Sequence, residues 1–314
     1  MSCSGAVDGR CGPGGEHYLA SLDWVGASTL AVQRLPRQQN TVEVLLADSD
    51  SGASRVAFRE SDECWVDVHP MHWLEGGEHF VWLSDRSGFA QLYIVSAADG
   101  EMVPLVAGRE QTDVVSIVCV EVGWVFFIST DPSQLSERYL WRVSLSGAPS
   151  RAERLTPTDA GGTHSYSIAP GGRFAVHSWS SFGVPPAAEI VTLPDHDCAQ
   201  TLSTNGRLAE RLRGLASGGS EFFTVDIPDG NGSEATLPGW VIFPPGFSRE
   251  SAGDEQYPLL VYVYGGPGST TINDAWGDRH YLWHLQMAQA GYVVVSVDGR
   301  GTPHPLGRAW RKAQ

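Results

Sequence analysis

The sequence predicts a two-part fold. About four blades of an incomplete β-propeller, each a four-stranded antiparallel sheet, occupy residues 1–202, and the opening strands of an α/β domain occupy 221–314, with a linker at 203–220 between them. Three observations carry this reading. The first is a repeat: strands at Val42–Leu46, Leu92–Val95, Tyr139–Leu145 and Glu189–Leu193 each lead through a turn to a short segment ending at Phe58, Leu105, Leu155 and Leu202. Those end points lie 47, 50 and 47 residues apart, a period that suits one blade. The second is turn chemistry, with Glu75-Gly76-Gly77, Asp99-Gly100, Ser146-Gly147 and Pro170-Gly171-Gly172 placed between short β-rich runs, which favours hairpins over helices. The third is a change of pattern after residue 220, where an apolar strand, a helix-length segment and a second apolar strand follow one another.

Within the repeat, starting strands recur around Trp24, Trp73, Trp124 and Tyr166. Each blade buries its faces against its neighbours, so four blades alone expose two terminal faces and their sheet edges, and the isolated chain is expected to associate. A β-sandwich with similar strand spacing is the competing architecture, and the even period over four units fits it less well. In the linker, Leu208, Leu212 and Leu215 recur at helical spacing before Ser217-Gly218-Gly219-Ser220 breaks the pattern. Glu221–Ile227 and Pro238–Phe243 then alternate apolar and polar residues around Asp229-Gly230-Asn231-Gly232, an antiparallel hairpin. Pro244-Pro245-Gly246 ends it. Leu259–Val263 reads as a strand buried on both faces. Trp276–Ala290 suits a helix closed by Gly291, and Tyr292–Val297 returns as a parallel strand, completing one crossover unit.

Composition excludes several classes of function. Lys and Arg number 21 against 36 Asp and Glu, a net charge of −15, which repels nucleic-acid backbones and anionic membrane surfaces. The five cysteines, Cys3, Cys11, Cys64, Cys119 and Cys198, are scattered without a C-x-x-C pair, so neither a zinc site nor a disulfide framework is indicated. His69 and His72 are spaced as a helical metal pair would be, yet they fall where a blade strand begins, and no metal or other cofactor is expected. No apolar run approaches the ~20 residues that span a bilayer. The first 15 residues lack the charged start and apolar stretch of a secretory leader. Asn231-Gly232-Ser233 satisfies the glycosylation sequon, but its context argues chiefly for a turn.

The chemistry-bearing stretches are Tyr264-Gly265-Gly266-Pro267-Gly268 after the first apolar strand and Asp298-Gly299-Arg300-Gly301 after the second. Strand ends of this kind look like the first strands of an α/β-hydrolase, yet none of the 314 residues forms the Gly-x-Ser-x-Gly elbow that carries the nucleophile of that fold. Together with Ala31–Asn40 (Ala-Val-Gln-Arg-Leu-Pro-Arg-Gln-Gln-Asn), Trp82–Phe89 (Trp-Leu-Ser-Asp-Arg-Ser-Gly-Phe), Gly162-Thr163-His164-Ser165, Tyr257-Pro258-Leu259-Leu260 and the continuation to Thr302-Pro303, these motifs resemble the dipeptidyl-peptidase IV branch of the prolyl oligopeptidase family of serine peptidases.

That resemblance implies peptide substrates, release of N-terminal dipeptides with Pro or Ala next to the scissile bond, a Ser-Asp-His triad and, for the full-length protein, room for a homo-oligomer. One catalytic part of the family maps onto a residue present here. Tyr264 stands where the family's tyrosine donates its hydroxyl to the oxyanion, and loss of one such donor costs ~3 kcal/mol. His164, His280, His284 and His304 are not assigned as bases, because the family's catalytic histidine lies near the end of its hydrolase domain. Asp298 is given a structural role for the corresponding reason, and Gly299 stands where many relatives carry Asn. The paired glutamates that grip a substrate's ammonium have no counterpart in residues 1–17. The expectation is that the triad lies beyond Gln314 and that this chain alone does not hydrolyse peptides. The alternative is a non-catalytic propeller module that binds peptides or a partner protein.

Overall fold

The computed structural model describes residues 17–213, 215, 218–228, 234–249 and 256–313. By contact the chain forms two compact units, Met1–Glu110 with Ser144–Arg151, and Gln111–Val143 with Ala152–Gln314.

The first unit contains two four-stranded antiparallel sheets, each pairing in sequence order. One is β1 (His17–Trp24), β2 (Thr29–Pro36), β3 (Thr41–Asp48) and β4 (Ser54–Ser61); the other is β5 (His72–Trp73), β6 (His79–Ser84), β7 (Gln91–Ser96) and β8 (Met102–Pro104). A short β9 (Val106–Ala107) pairs in parallel with Ser150–Arg151. In β2 the side chains alternate cleanly, Ala31, Gln33 and Leu35 pointing into the protein, as a half-buried strand requires. By contrast β6 is buried almost throughout, consistent with its unbroken Phe-Val-Trp-Leu run. Phe58, Phe80 and Trp82 meet edge to face at 5.4–6.1 Å, packed with Val42, Val44 and Val95. Buried Glu60 serves the polar edge of this cluster, accepting from Trp82 Nε1 at 2.5 Å and from the Ser84 hydroxyl.

The second unit opens with β10 (Val114–Glu121), β11 (Trp124–Asp131) and β12 (Gln134–Ser144). The two-residue β13 (Ser150–Arg151), the partner of β9, belongs to the first unit, and β14 (Glu153–Arg154) of the second pairs with β12. Trp124 was expected to start its sheet, but it begins the second strand, because β10 precedes it. Val122 and Gly123, at φ +49° and +78°, turn the chain back between them. A further meander follows, β15 (Thr163–Ile168), β16 (Phe174–Ser181), β17 (Val184–Thr192) and β18 (Cys198–Ser203), with β15 pairing in parallel with β12 at Arg138↔Thr163. Phe126, Leu140, Val191 and Leu193 share one core here.

The helix α1 (Gly206–Arg213) carries Leu208 and Leu212 and leads to β19 (Ser220–Pro228) and β20 (Glu234–Ile242), an antiparallel hairpin whose expected turn at 229–232 lies outside the described residues. Then β21 (Leu259–Tyr262), α2 (Asp278–Gln289) and β22 (Val293–Val297) form a parallel crossover, with β22 between β20 and β21 in the order β19-β20-β22-β21. A short α3 (Arg308–Arg311) follows. Gly291 closes α2 at φ +95°: its N–H donates to the Ala288 carbonyl and that of Tyr292 to Met287, a Schellman pair that only a residue tolerant of the left-handed region fits readily.

The expectation that β21 is buried on both faces needs correction. Leu260 and Tyr262 face α2 and join Trp240, Ile242, Leu285 and Val294 in a core, whereas Leu259 and Val261 are 61% and 57% exposed. A parallel sheet needs cover on both faces, and α2 packs on the Leu260 and Tyr262 side of this strand, leaving Leu259 and Val261 open.

Two expectations follow for the folded chain. Phe58→Ala removes a ring from a filled aromatic cluster and is expected to lower stability by about 3–5 kcal/mol, while Leu22→Ala on an exposed strand changes it by about 0.5 kcal/mol or less; urea unfolding of both variants measures the difference. The open apolar face of β21 predicts concentration-dependent association that Val261→Lys reduces. Sedimentation velocity showing one monomeric species for the unaltered chain would contradict it.

Candidate active site

The candidate site grows from the end of β21. The strand carries the backbone outward, and Gly265 at φ +73° turns it sharply, three residues after Tyr262. This conformation costs glycine nothing and strains other residues. The Tyr264 ring folds back over the turn it precedes. A Cβ added to Gly266 would lie 3.4 Å from the ring carbon Cε1, and one on Gly268 would lie 3.0 Å from the phenol oxygen. Small residues at 266 and 268 are therefore what let the hydroxyl rest against its own turn. Tyr264 remains 56% exposed. It borders a cleft of about 400 Å³ whose walls include Phe182, Trp240, Tyr262, Tyr281 and His284.

The loop after the turn is held from several sides. Asp298, at the end of β22, is buried and its carboxylate accepts from the N–H and hydroxyl of Thr271 and from the N–H of Ile272, all at 2.9–3.1 Å. Its own N–H donates to the Pro238 carbonyl at 3.0 Å. The Thr271 carbonyl accepts from Trp240 Nε1 at 3.0 Å, and the Thr271 hydroxyl meets that of Ser296 at 2.7 Å. Arg138 donates to Asn273 Oδ1 at 3.1 Å, and burial draws that guanidinium down to about 10. At the far end of the loop, the N–H of Phe182 donates to Asp274 Oδ1 at 2.7 Å and that of Trp276 to the Ser180 hydroxyl at 3.0 Å.

Phe182 and the aromatic walls of the cleft were not singled out from sequence. Phe182 sits at the tip of the β16–β17 hairpin, and its ring meets Trp240 at 5.2 Å and Tyr281 at 5.3 Å. The available signal was the Phe182-Gly183 pair at the turn, where an apolar ring on a hairpin tip needs something to cover it.

The four histidines set aside as bases fall in three places. His280 and His284 line the Tyr264 cleft from successive turns of α2, with His284 against the Tyr262 ring at 4.8 Å; burial, reinforced by His280, holds it down at about 4, hence neutral at pH 7. His304 borders a different cavity of about 470 Å³. Its Nδ1 lies 4.0 Å from Asp298 Oδ2, beyond hydrogen-bond range. Burial, and then Arg138, hold His304 at about 4 against the pull of Asp298. His164 belongs to the β15–β18 sheet. His72 lies in β5, and the His69 carbonyl accepts from Gln33 Nε2 at 2.7 Å. The arrangement thus offers a phenol donor at the mouth of a largely aromatic cleft, set on a loop whose backbone is pinned by a buried carboxylate.

Removing that carboxylate with Asp298→Ala strands two buried N–H groups, at about 1–3 kcal/mol each. The expected outcome is a loss of about 3 kcal/mol in urea unfolding, together with faster hydrogen exchange at the Thr271 and Ile272 amides.

Comparison with known proteins gives this geometry its family. A family model of the dipeptidyl peptidase IV N-terminal region matches residues 7–186. A probable dipeptidyl peptidase 4 from Emericella nidulans is 29% identical over 94% of this chain and 38% of its own length. A probable dipeptidyl-aminopeptidase B from Penicillium rubens is 27% identical over 91% of this chain and 32% of its own. The crystal structure of Porphyromonas gingivalis dipeptidyl peptidase 4 superposes with a TM-score of 0.80 at 25% identity, covering 94% of this chain and 40% of that protein. The chain therefore spans about two fifths or less of the length of these relatives, and it belongs to the dipeptidyl peptidase IV family.

Proposed function

We propose that this chain is part of a serine-type peptidase of the dipeptidyl-peptidase IV type, which releases dipeptides from peptide N-termini with Pro or Ala next to the scissile bond. In this reading residues 1–202 supply about four propeller blades, 203–220 the linker, and 221–314 the first strands of the α/β-hydrolase domain. The observation that carries it is the coincidence of the family match with the Tyr264 turn: an exposed phenol bordering an aromatic cleft, its ring seated over glycines small enough to admit it.

Tyr264 acts as a hydrogen-bond donor. As a nucleophile adds to a peptide carbonyl, charge accumulates on the oxygen, and a pre-placed donor stabilises that charge more than it stabilises the ground-state carbonyl. The pinned loop matters because a donor held in place needs no reorganisation at the moment of reaction. Asp298, its carboxylate occupied by Thr271 and Ile272, positions the loop. No Gly-x-Ser-x-Gly occurs in the 314 residues, so nucleophile, acid and base have no candidates here, and the chain alone is proposed to be inactive. The same absence favours the second reading, a propeller module that binds peptides or a partner without cleaving them.

Two measurements decide between these. An in-frame or frameshifted Gly-x-Ser-x-Gly in the adjoining coding sequence supports the peptidase; a stop without any remnant supports the binding module. The purified 314-residue chain is expected not to turn over Gly-Pro or Ala-Pro chromogenic amides, and turnover that Tyr264→Phe abolishes would overturn the proposed inactivity. In a protein that also carries the nucleophile, Tyr264→Phe is expected to lower kcat by about 100- to 1000-fold with the fold intact.

A further inference from the structure

A second constellation lies in the β15–β18 sheet, away from any role assigned above. His164 and His177 are both 3% exposed. Their rings are nearly coplanar, 10° apart with centroids at 5.1 Å, and His164 Nδ1 meets His177 Nε2 edge to edge at 2.9 Å. The chain continues at both ends. His177 Nδ1 meets Glu189 Oε1 at 3.0 Å, and His164 Nε2 meets the Gly161 carbonyl at 3.2 Å. Strand pairing sets this up, since His177 stands directly opposite Glu189 across β16–β17 and diagonal to His164 across β15–β16.

Proton counting makes the chain unusual. It contains three contacts and ends on two acceptors, a carboxylate and a carbonyl, so it needs three ring hydrogens, whereas two neutral imidazoles supply two. The charge-assisted contact claims the first, placing a hydrogen on His177 Nδ1 toward Glu189. His177 Nε2 then accepts from His164 Nδ1. This leaves the lone pair of His164 Nε2 against the Gly161 carbonyl, at the longest of the three contacts. One further proton on that nitrogen completes the chain.

We propose that the Gly161–His164–His177–Glu189 chain is an acid-sensing element of this sheet, with His164 Nε2 as the atom that takes the proton. Its surroundings set the balance. Burial raises Glu189, but bonds from Cys198 and His177 outweigh it and keep the carboxyl below its usual value, so the acceptor end stays charged. Tyr166 lies over His177 and shares its hydroxyl with His196 at 2.8 Å and Thr156 at 2.9 Å. Trp179 on β16 and Tyr139 on β12 flank His164, with Arg154 over the Tyr139 ring at 3.5 Å, Glu137 beside Gly161 and Asp197 next to His196. Burial first, and then His177, hold His164 at about 4 against an ordinary 6.5.

The site of protonation adjoins the seat of Phe182. Gly162 packs so tightly on the Ser180 carbonyl that a Cβ there would come within 2.4 Å, and the Ser180 hydroxyl receives the Trp276 N–H at the edge of the aromatic cleft. Because the folded-state value lies below the unfolded one, the unfolded chain binds the proton first as pH falls. Stability contributed by His164 is therefore full above about pH 6.5 and lost between there and about pH 4.

Long-range nitrogen–proton NMR of the histidine rings in the intact chain tests this without a variant. The expected result is a His164 Nδ1–H tautomer at neutral pH and a titration midpoint near 4. An Nε2–H tautomer, or a midpoint near 6.5, would overturn the proposal. Urea unfolding at pH 7 and pH 5 gives a second reading. His164 alone should raise the unfolding equilibrium constant about 20-fold between them, a contribution that His164→Gln removes; an unchanged pH dependence in that variant counts against it.

Discussion

The carboxylate of Asp298 ties together the parts of the second unit from which a site can be made. It sits at the end of a parallel strand, buried, and receives two backbone N–H groups and a hydroxyl from the loop that leaves the Tyr264 turn. A buried carboxylate is costly unless its lone pairs are used, and here the loop uses them. The same loop receives Trp240 from β20, Arg138 from β12, and the tip of the β16–β17 hairpin through Asp274. Strands distant in sequence thus converge on one short segment, and Tyr264 inherits its position from them.

Elsewhere several buried or half-buried charged groups are matched in small sets. Glu60 is matched to Trp82 and Ser84, Arg34 and Arg59 both reach Glu43, and Arg154 caps the carbonyls of Thr156 and Pro157. The histidine chain departs from this pattern, being one hydrogen short when neutral. A shortfall inside a packed sheet is tolerated only where the rest of the packing enforces it, and the aromatic rings of Tyr139, Tyr166 and Trp179 around it do so.

Much of the fold was legible in the chain. The Asp-Gly and Gly-Gly turns, the helical spacing of Leu208 and Leu212, and the closing glycine of α2 are local signals, and each corresponds to an element found. The position of Trp124 was misjudged because β10 is rich in β-branched residues and β11 in aromatic and β-branched ones, so both read as strands and local pattern does not say which comes first. The open face of β21 was misjudged because an apolar run shows that a strand can be buried on both sides, not that anything is present to bury it.

Of the candidate site, the sequence by itself determined the residue types that local geometry demands: a tyrosine at a strand end, glycines at 265, 266 and 268, and an aspartate closing the next strand. These were readable because a tight turn and a strand end restrict which side chains fit within a few residues. Only the tertiary structure decided that Asp298 grips Thr271 and Ile272, that Phe182 reaches the Tyr264 cleft, and that His164, His177 and Glu189 share a line of contacts. Those pairings depend on strand register and sheet order over separations of up to about 90 residues, and sequence spacing carries no information about which distant strands will lie side by side.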